Sequence, residues 1–131
     1  MADMPPADIE VTEARVRAAL QEQAPEFAHL SLELIGEGWD NVMFRLDDEL
    51  ALRVPRREIA IPNLRNEQRW LPQLAPLLPV PIPAPVVCGE PSEVLATPWA
   101  IVPWVEGIPV AGVERERRGA LVPGLAAFLR A

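Results

Sequence analysis

The chain has 131 residues, half of them hydrophobic, with 12 Lys+Arg against 19 Asp+Glu for a formal charge of −7, and 16 prolines against seven glycines. This is one domain's length, by the usual figure of roughly 100 to 200 residues per domain, and an acidic chain with scattered arginines lacks the concentrated positive surface that nucleic acid demands. All twelve basic residues are arginine, which excludes mechanisms built on a lysine, among them the P-loop and the Schiff base.

Residues 1–8 mix Pro, Asp and Ala without periodicity and read as a disordered lead-in. Residues 9–27 place Val11, Ala14, Val16, Ala19 and Leu20 near helical spacing, with Thr12 and Asp8 as candidate caps and Pro25 as the stop. Three strand-like runs follow at 30–35, 41–46 and 50–54, joined by turns at 36–40 and 47–49, so an antiparallel meander is the economical reading. A second helix is expected over 62–74, ended or kinked by Pro72. Six prolines between 72 and 85 make an extended connector; a ligand for a proline-binding groove is the rarer use of such a run. Two more strands are expected at 86–89 and 98–105, then a helical stretch over 113–131 interrupted at Pro123-Gly124. The sum is an α+β fold, a five-stranded antiparallel sheet with a packed helix.

No apolar run reaches the roughly 20 residues of a membrane span, and the first five residues have neither the basic start nor the apolar core of a signal peptide. A soluble, cytoplasmic protein that binds no membrane and no nucleic acid is the expectation. Cys88 and His29 are each the one residue of their kind, so neither an internal disulfide nor a zinc site is expected, and they read as a structural cysteine and a surface histidine. Trp70 and Trp99 read as packing anchors. Trp39, at a turn tip, does not, and Trp104 fits either a core or a base-stacking role. Arg115, Arg117 and Arg118 form a solvated helix face, and Arg56 and Arg57 read as surface charges or as a second cation beside Arg53.

The turn Gly36-Glu37-Gly38-Trp39-Asp40-Asn41 lies between two strands rather than between a strand and a helix. A strand–turn–strand of this kind folds over phosphates as a flap, through backbone N–H groups that glycine leaves accessible. Asn41 takes the place of a third glycine and tolerates a left-handed backbone. A plain hairpin turn would look similar. On the third strand Ala51 and Arg53 share a face, and Glu67 lies in the second helix. A strand cation held by a helix carboxylate and aimed at nucleotide phosphates is the anchoring device of a kinase small lobe, although such a pair also serves as a structural salt bridge. The strand ending in Pro103-Trp104-Val105-Glu106-Gly107 suits a segment whose backbone meets a purine edge.

With Gly-Glu-Gly-Trp-Asp-Asn at 36–41, Leu-Arg-Val-Pro-Arg at 52–56, Asn-Glu-Gln-Arg-Trp-Leu at 66–71 and Pro-Trp-Val-Glu-Gly at 103–107, the chain resembles the N-terminal lobe of the aminoglycoside phosphotransferase family. That kinase-like group includes antibiotic kinases of the aminoglycoside and macrolide types. The resemblance implies that Gly36, Gly38, Asp40 and Asn41 cover nucleotide phosphates, and that Arg53 stands where the family has a lysine, with Glu67 as its partner. It implies that Ile35 and Ala51 roof the base, and that Pro103, Trp104 and Val105 form the hinge. ATP or GTP with Mg2+ is the implied cofactor, and a small-molecule hydroxyl the implied acceptor. Residues 9–107 would be the small lobe with its hinge, and 108–131 the start of a large lobe. The family's His-Gly-Asp loop does not occur, and no Asp follows Asp48, so no catalytic and no metal-binding residue is assigned to this chain. It reads as a fragment, with self-association through an exposed lobe interface as an expected property. A non-catalytic interaction module with the same lobe-like fold is the alternative reading.

Overall fold

The computed structural model describes residues 3–131. In chain order the elements are α1 (Glu13–Gln23), β1 (Leu32–Glu37), β2 (Asn41–Leu46), β3 (Leu50–Pro55), α2 (Ile61–Leu74), β4 (Val87–Gly89), β5 (Trp99–Pro103), α3 (Arg115–Arg118) and α4 (Val122–Arg130). The strands form one sheet in the order β1-β2-β3-β5-β4, every neighbouring pair antiparallel. Thr12 caps α1, its side-chain oxygen accepting from the Arg15 N–H at 3.2 Å, and the helix stops ahead of Pro25 as the sequence predicts. Of the lead-in expected to be disordered at 1–8, residues 1 and 2 lie outside the described residues; Asp8 donates its N–H to the Arg56 carbonyl at 3.0 Å.

Two prolines behave differently from expectation. Pro72 neither ends nor breaks α2 at its own position, because it falls in the last turn, where the missing N–H costs a single bond; the helix runs on to Leu74 and tightens into a 3-10 turn at Ala75–Leu77. Pro123 lies in the first turn of α4 instead of interrupting a helix, and there its absent N–H has no intrahelical partner to lose. The connector at 78–86 carries no regular structure.

Residues opposite one another in an antiparallel ladder share a face, so the register sorts the sheet into two sides. Val42, Phe44, Leu52, Val54, Trp99 and Ile101 pack on Val16, Ala19 and Leu20 of α1 and form the main core. On the other side Ala51, Ala100 and Val102, with Met43 and Trp104 beside them, pack on Leu64 of α2. The periodicity argued for one packed helix; the fold has two, one on each face.

Helix α2 has little apolar grip, since Leu64 is its one buried residue. Polar contacts do the rest. Arg65 donates to both carboxylate oxygens of Glu90, at 2.9 and 2.5 Å, and the Gln68 side chain donates to the Trp99 carbonyl at 3.0 Å. Glu90 is itself held through its backbone, the Gln23 side-chain amide bonding both its N–H and its C=O at 2.8 Å. Trp70, expected as an anchor, is 47% exposed. It lies six positions past Leu64, on another side of a helix with 3.6 residues per turn, and the Arg69 guanidinium stacks on its ring at 4.7 Å. Trp99 does fill the core, fully buried.

Gly89 lies opposite Trp99 in the ladder, and a Cβ there would come within 1.8 Å of the indole. Gly89→Ala is therefore expected to cost about 2 kcal/mol or more, as overpacking against a buried ring does, read as a lower urea midpoint with unchanged slope. The Arg65 hydrogen bond holds the Glu90 carboxyl below its ordinary pKa. A carboxylate with a depressed folded pKa stabilises above its unfolded value, about 4.3 for glutamate, and loses that stabilisation as pH falls through the folded pKa. Glu90→Gln is expected to lower the urea midpoint slightly at pH 7, the pair being largely exposed, and the gap to close as pH falls below about 4. A gap that persisted in acid would contradict this.

Candidate functional site

Alternation along β3 decides the placement of its one in-strand cation. Leu52 and Val54 enter the α1 core, which turns Ala51 and Arg53 to the α2 face. Glu67 sits three residues after Leu64, on the helix side that meets the sheet. The Arg53 Nη1 donates to the Glu67 Oε2 at 2.5 Å, with both side chains partly sheltered. Among the described residues this is the one side-chain hydrogen bond of Arg53, so the remaining donors of its five-donor guanidinium fork stay available.

Gly36 pairs with Met43, Met43 with Arg53, and Arg53 with Ala100. The glycine turn and the cation therefore lie in one row on one face of the sheet. The fold itself has no need of these glycines: a Cβ at Gly36 meets nothing within 4 Å, at Gly38 it meets only the Asn41 carbonyl at 3.8 Å, and neither has a positive φ. The β1 register slips between Leu34 and Gly36, and at this bulge Ile35 is 48% exposed. Ala51, its expected companion in a roof, is buried among Leu64, Ala100 and Val102.

Asn41 is not left-handed. It opens β2 in extended conformation, and its carbonyl accepts the Gly38 N–H at 2.8 Å, closing the turn; the left-handed residue is Asp47, at φ 56° in the β2–β3 turn. Asp40 pairs with Arg57 at 3.2 Å, so its negative charge is balanced within the chain. Arg56, read from sequence as a surface charge, is 7% exposed. Its Nη1 donates to the carbonyls of Pro5, at 2.9 Å, and Trp39, at 3.4 Å, and its Nε lies 3.8 Å from the Glu37 carboxylate. The available signal was register: Asn41 opposes Pro55, so residue 56 necessarily falls beside the turn.

At the far end of the face, Pro103 opposes Leu50 and the Trp104 N–H donates to the Glu49 carbonyl at 2.8 Å. Trp104 packs beside Ala51 and Val102, donates its indole N–H to Glu106 at 2.9 Å and lies under the Arg45 guanidinium at 4.5 Å. Val105 is exposed, and its N–H and C=O have no backbone partner among the described residues. The structure thus brings Gly36, Ala51, Arg53, Glu67 and Trp104 to one face, while Asp40 is engaged by Arg57 at its edge and Val105 follows the end of β5. Cys88 opposes Ala100 in the ladder; it is exposed, and partial burial, with Glu90 nearby, pushes its thiol pKa up against the pull of Arg65, which keeps it protonated and a poor nucleophile.

Among the described residues no three His, Cys, Asp or Glu side chains converge on a point that would hold a metal ion, so these side chains do not fit a magnesium cage. A pocket of about 300 Å³ lined by Asp8, Ile9, Glu10, Arg15, Glu58 and Ala96 includes none of the residues of the Arg53 face.

Residues 31–131 match the phosphotransferase enzyme family. No curated protein matches the sequence. Among solved structures, the GDP and kanamycin complex of APH(2")-IIia superposes with a TM-score of 0.76 at 24% identity, covering 90% of this chain and 41% of that one. The GDP complex of wild-type aminoglycoside 2'-phosphotransferase-IIIa gives 0.78 at 23% identity, with 92% and 41% covered. The streptomycin-ATP-APH(2")-IIa ternary complex gives 0.54 at 19% identity. The chain therefore spans about two fifths of the length of these structures, and its sheet and helices have the α+β arrangement of a kinase-like small lobe. With 101 of its 131 residues inside the family match (31 to 131 inclusive), the chain belongs to the phosphotransferase enzyme family.

Proposed function

We propose that this chain is the nucleotide-binding small lobe of an ATP- or GTP-dependent phosphotransferase whose acceptor is a hydroxyl of an aminoglycoside-like small molecule. The observation that carries the reading is the row joining Gly36 to Arg53, with Arg53 held by Glu67. Arg53 binds α- and β-phosphate oxygens through its free donors, and Glu67 keeps the guanidinium from swinging away when the site is empty. Gly36 and Gly38 carry no packing or backbone requirement of their own, which suits positions whose missing Cβ admits phosphates against the backbone. Asp40 and Asn41 shape the same flap, and the pairing of Asp40 with Arg57 removes its repulsion for phosphate. Ile35, exposed at the β1 bulge, roofs the base, and Ala51 stays packed behind it against Leu64 and Val102. Pro103 to Val105 form the hinge, where the free amide and carbonyl of Val105 offer a donor and an acceptor to a purine edge.

In this reading residues 9–107 are the lobe and hinge, and 108–131 lead into a second lobe that brings the proton acceptor and the magnesium ligands. Phosphoryl transfer then depends on positioning and charge neutralisation, of which this chain supplies the nucleotide half. The exposed Leu121, Val122, Leu125 and Leu129 favour a docking role for that last segment. They also favour a second reading, in which the chain is an interaction module that self-associates through these side chains and binds no nucleotide.

Titration with ATP and with GTP, each with magnesium, is expected to give saturable binding that Arg53→Ala weakens at least about tenfold, the loss of one charge-assisted contact. Absence of binding at millimolar nucleotide, together with concentration-dependent dimers in light scattering, would move the assignment to the interaction module. Gly36→Ala is expected to leave the urea midpoint unchanged, since its methyl meets open space, while weakening nucleotide binding. Equal loss of stability and binding would remove the flap argument.

A further inference from the structure

We infer that Arg56 is a positioning residue that sets the glycine turn for nucleotide, and that residues 5–9 are a strap that keeps Arg56 in place. The inference rests on the small-lobe reading for its functional half.

A charged side chain buried to this degree survives only if its donors are met. For Arg56 every partner belongs either to the turn or to the strap. On the turn side it reaches the Trp39 carbonyl at 3.4 Å and the Glu37 carboxylate at 3.8 Å, and its own N–H donates to the Asp40 carbonyl at 2.8 Å. On the strap side its Nη1 donates to the Pro5 carbonyl at 2.9 Å, while its carbonyl accepts from the N–H groups of Asp8 and Ile9 at 3.0 and 3.1 Å. The same residues fasten the strap further: Asp8 accepts the Glu58 N–H at 3.1 Å, and Ile9 is buried. The turn residues 38–40 otherwise hold themselves by a single backbone bond, Gly38 N–H to the Asn41 carbonyl. Trp39 at the tip is 57% exposed and contributes no packing anchor. Without the Arg56 side chain the Trp39 carbonyl at the tip loses its partner from outside the turn, and the tip amides lose part of the fixed direction that phosphate binding requires.

The consequence is a coupling between residues 5–9 and a phosphate flap at 36–41, far along the sequence. A flap held open costs the ligand less ordering entropy, so affinity rises with the quality of the clamp. Arg57 holds the same turn by its separate pair with Asp40, so loss of Arg56 loosens the tip and does not release it.

Hydrogen exchange of the amides at 38–41 in the nucleotide-free protein, with nucleotide titration in parallel, tests this. In Arg56→Ala the flap amides are expected to exchange at least about tenfold faster while those of Phe44 and Leu52 stay protected, and ATP or GTP affinity is expected to fall about tenfold. Arg56→Lys keeps the charge and lacks the fork, and should recover part of both. Asp8→Ala leaves Arg56 in place and cuts the strap at Glu58; it should change both readouts in the same direction by less, and it keeps the test available if Arg56→Ala fails to fold. Unchanged flap exchange in Arg56→Ala would overturn the clamp. Faster flap exchange with unchanged affinity, while Arg53→Ala still weakens binding, would overturn its role in binding and leave the small-lobe reading standing. If the wild-type protein binds neither nucleotide, the functional half falls with that reading, and exchange alone decides the clamp.

Discussion

Helix α2 must deliver one carboxylate to one cation, yet it holds the sheet through a single buried leucine. Arg65 on Glu90 and Gln68 on the Trp99 carbonyl flank Glu67 along the helix, so the Arg53–Glu67 pair is formed by a helix pinned on either side of it. Glu90 is fixed in turn by Gln23 of α1. The position of Glu67 therefore traces back through two polar links to the main core. Directional bonds of this kind fix rotation and register, which a lone apolar contact does not, and here the chemistry of the face depends on rotation and register.

The sheet divides its labour by face. On the α1 side, large apolar residues, Trp99 and Phe44 among them, supply the burial that makes the fold stable. On the α2 side a smaller cluster, Ala51, Ala100 and Val102 with Met43 and Trp104, packs on Leu64, and Gly36 and Arg53 lie in the same row. That second core is the smaller of the two, and it leaves Gly36 and Arg53 at its margin. The strictness of packing differs accordingly. At Gly89 a single added carbon would enter the Trp99 ring, whereas at Gly36 it would meet open space.

Much of this was legible in the sequence. Strand-like runs separated by turn residues marked the three meander strands, and β2 at 41–46 falls where the turn signals on either side predict it. The α1 cap at Thr12 was readable because a cap bonds within one turn, and the pairing of Arg53 with Glu67 was named through the family resemblance, strand alternation giving only that Ala51 and Arg53 share a face. The family's order of motifs carried the rest of the small-lobe assignment. Less legible were the roles of prolines and tryptophans. Pro72 and Pro123 act by their distance from a helix end, and helix ends are the least certain feature of any periodic pattern. Trp70 looked like core because it is large and apolar; only the rotation of α2 relative to Leu64 puts it in solvent.

By itself, then, the sequence determined the order of strands and helices and the α+β class, because these follow from periodicity along each element, while the naming of Arg53 and Glu67 as cation and carboxylate came from the family resemblance. The tertiary structure alone decided that β5 lies between β3 and β4, that helices cover both faces, and that Arg56 is buried beneath the glycine turn. Each of those depends on segments far apart in the chain meeting in space: Pro5 with Arg56, Gln23 with Glu90, Gly89 with Trp99. Spacing within an element says where a side chain points, and only the folded chain says what it meets there.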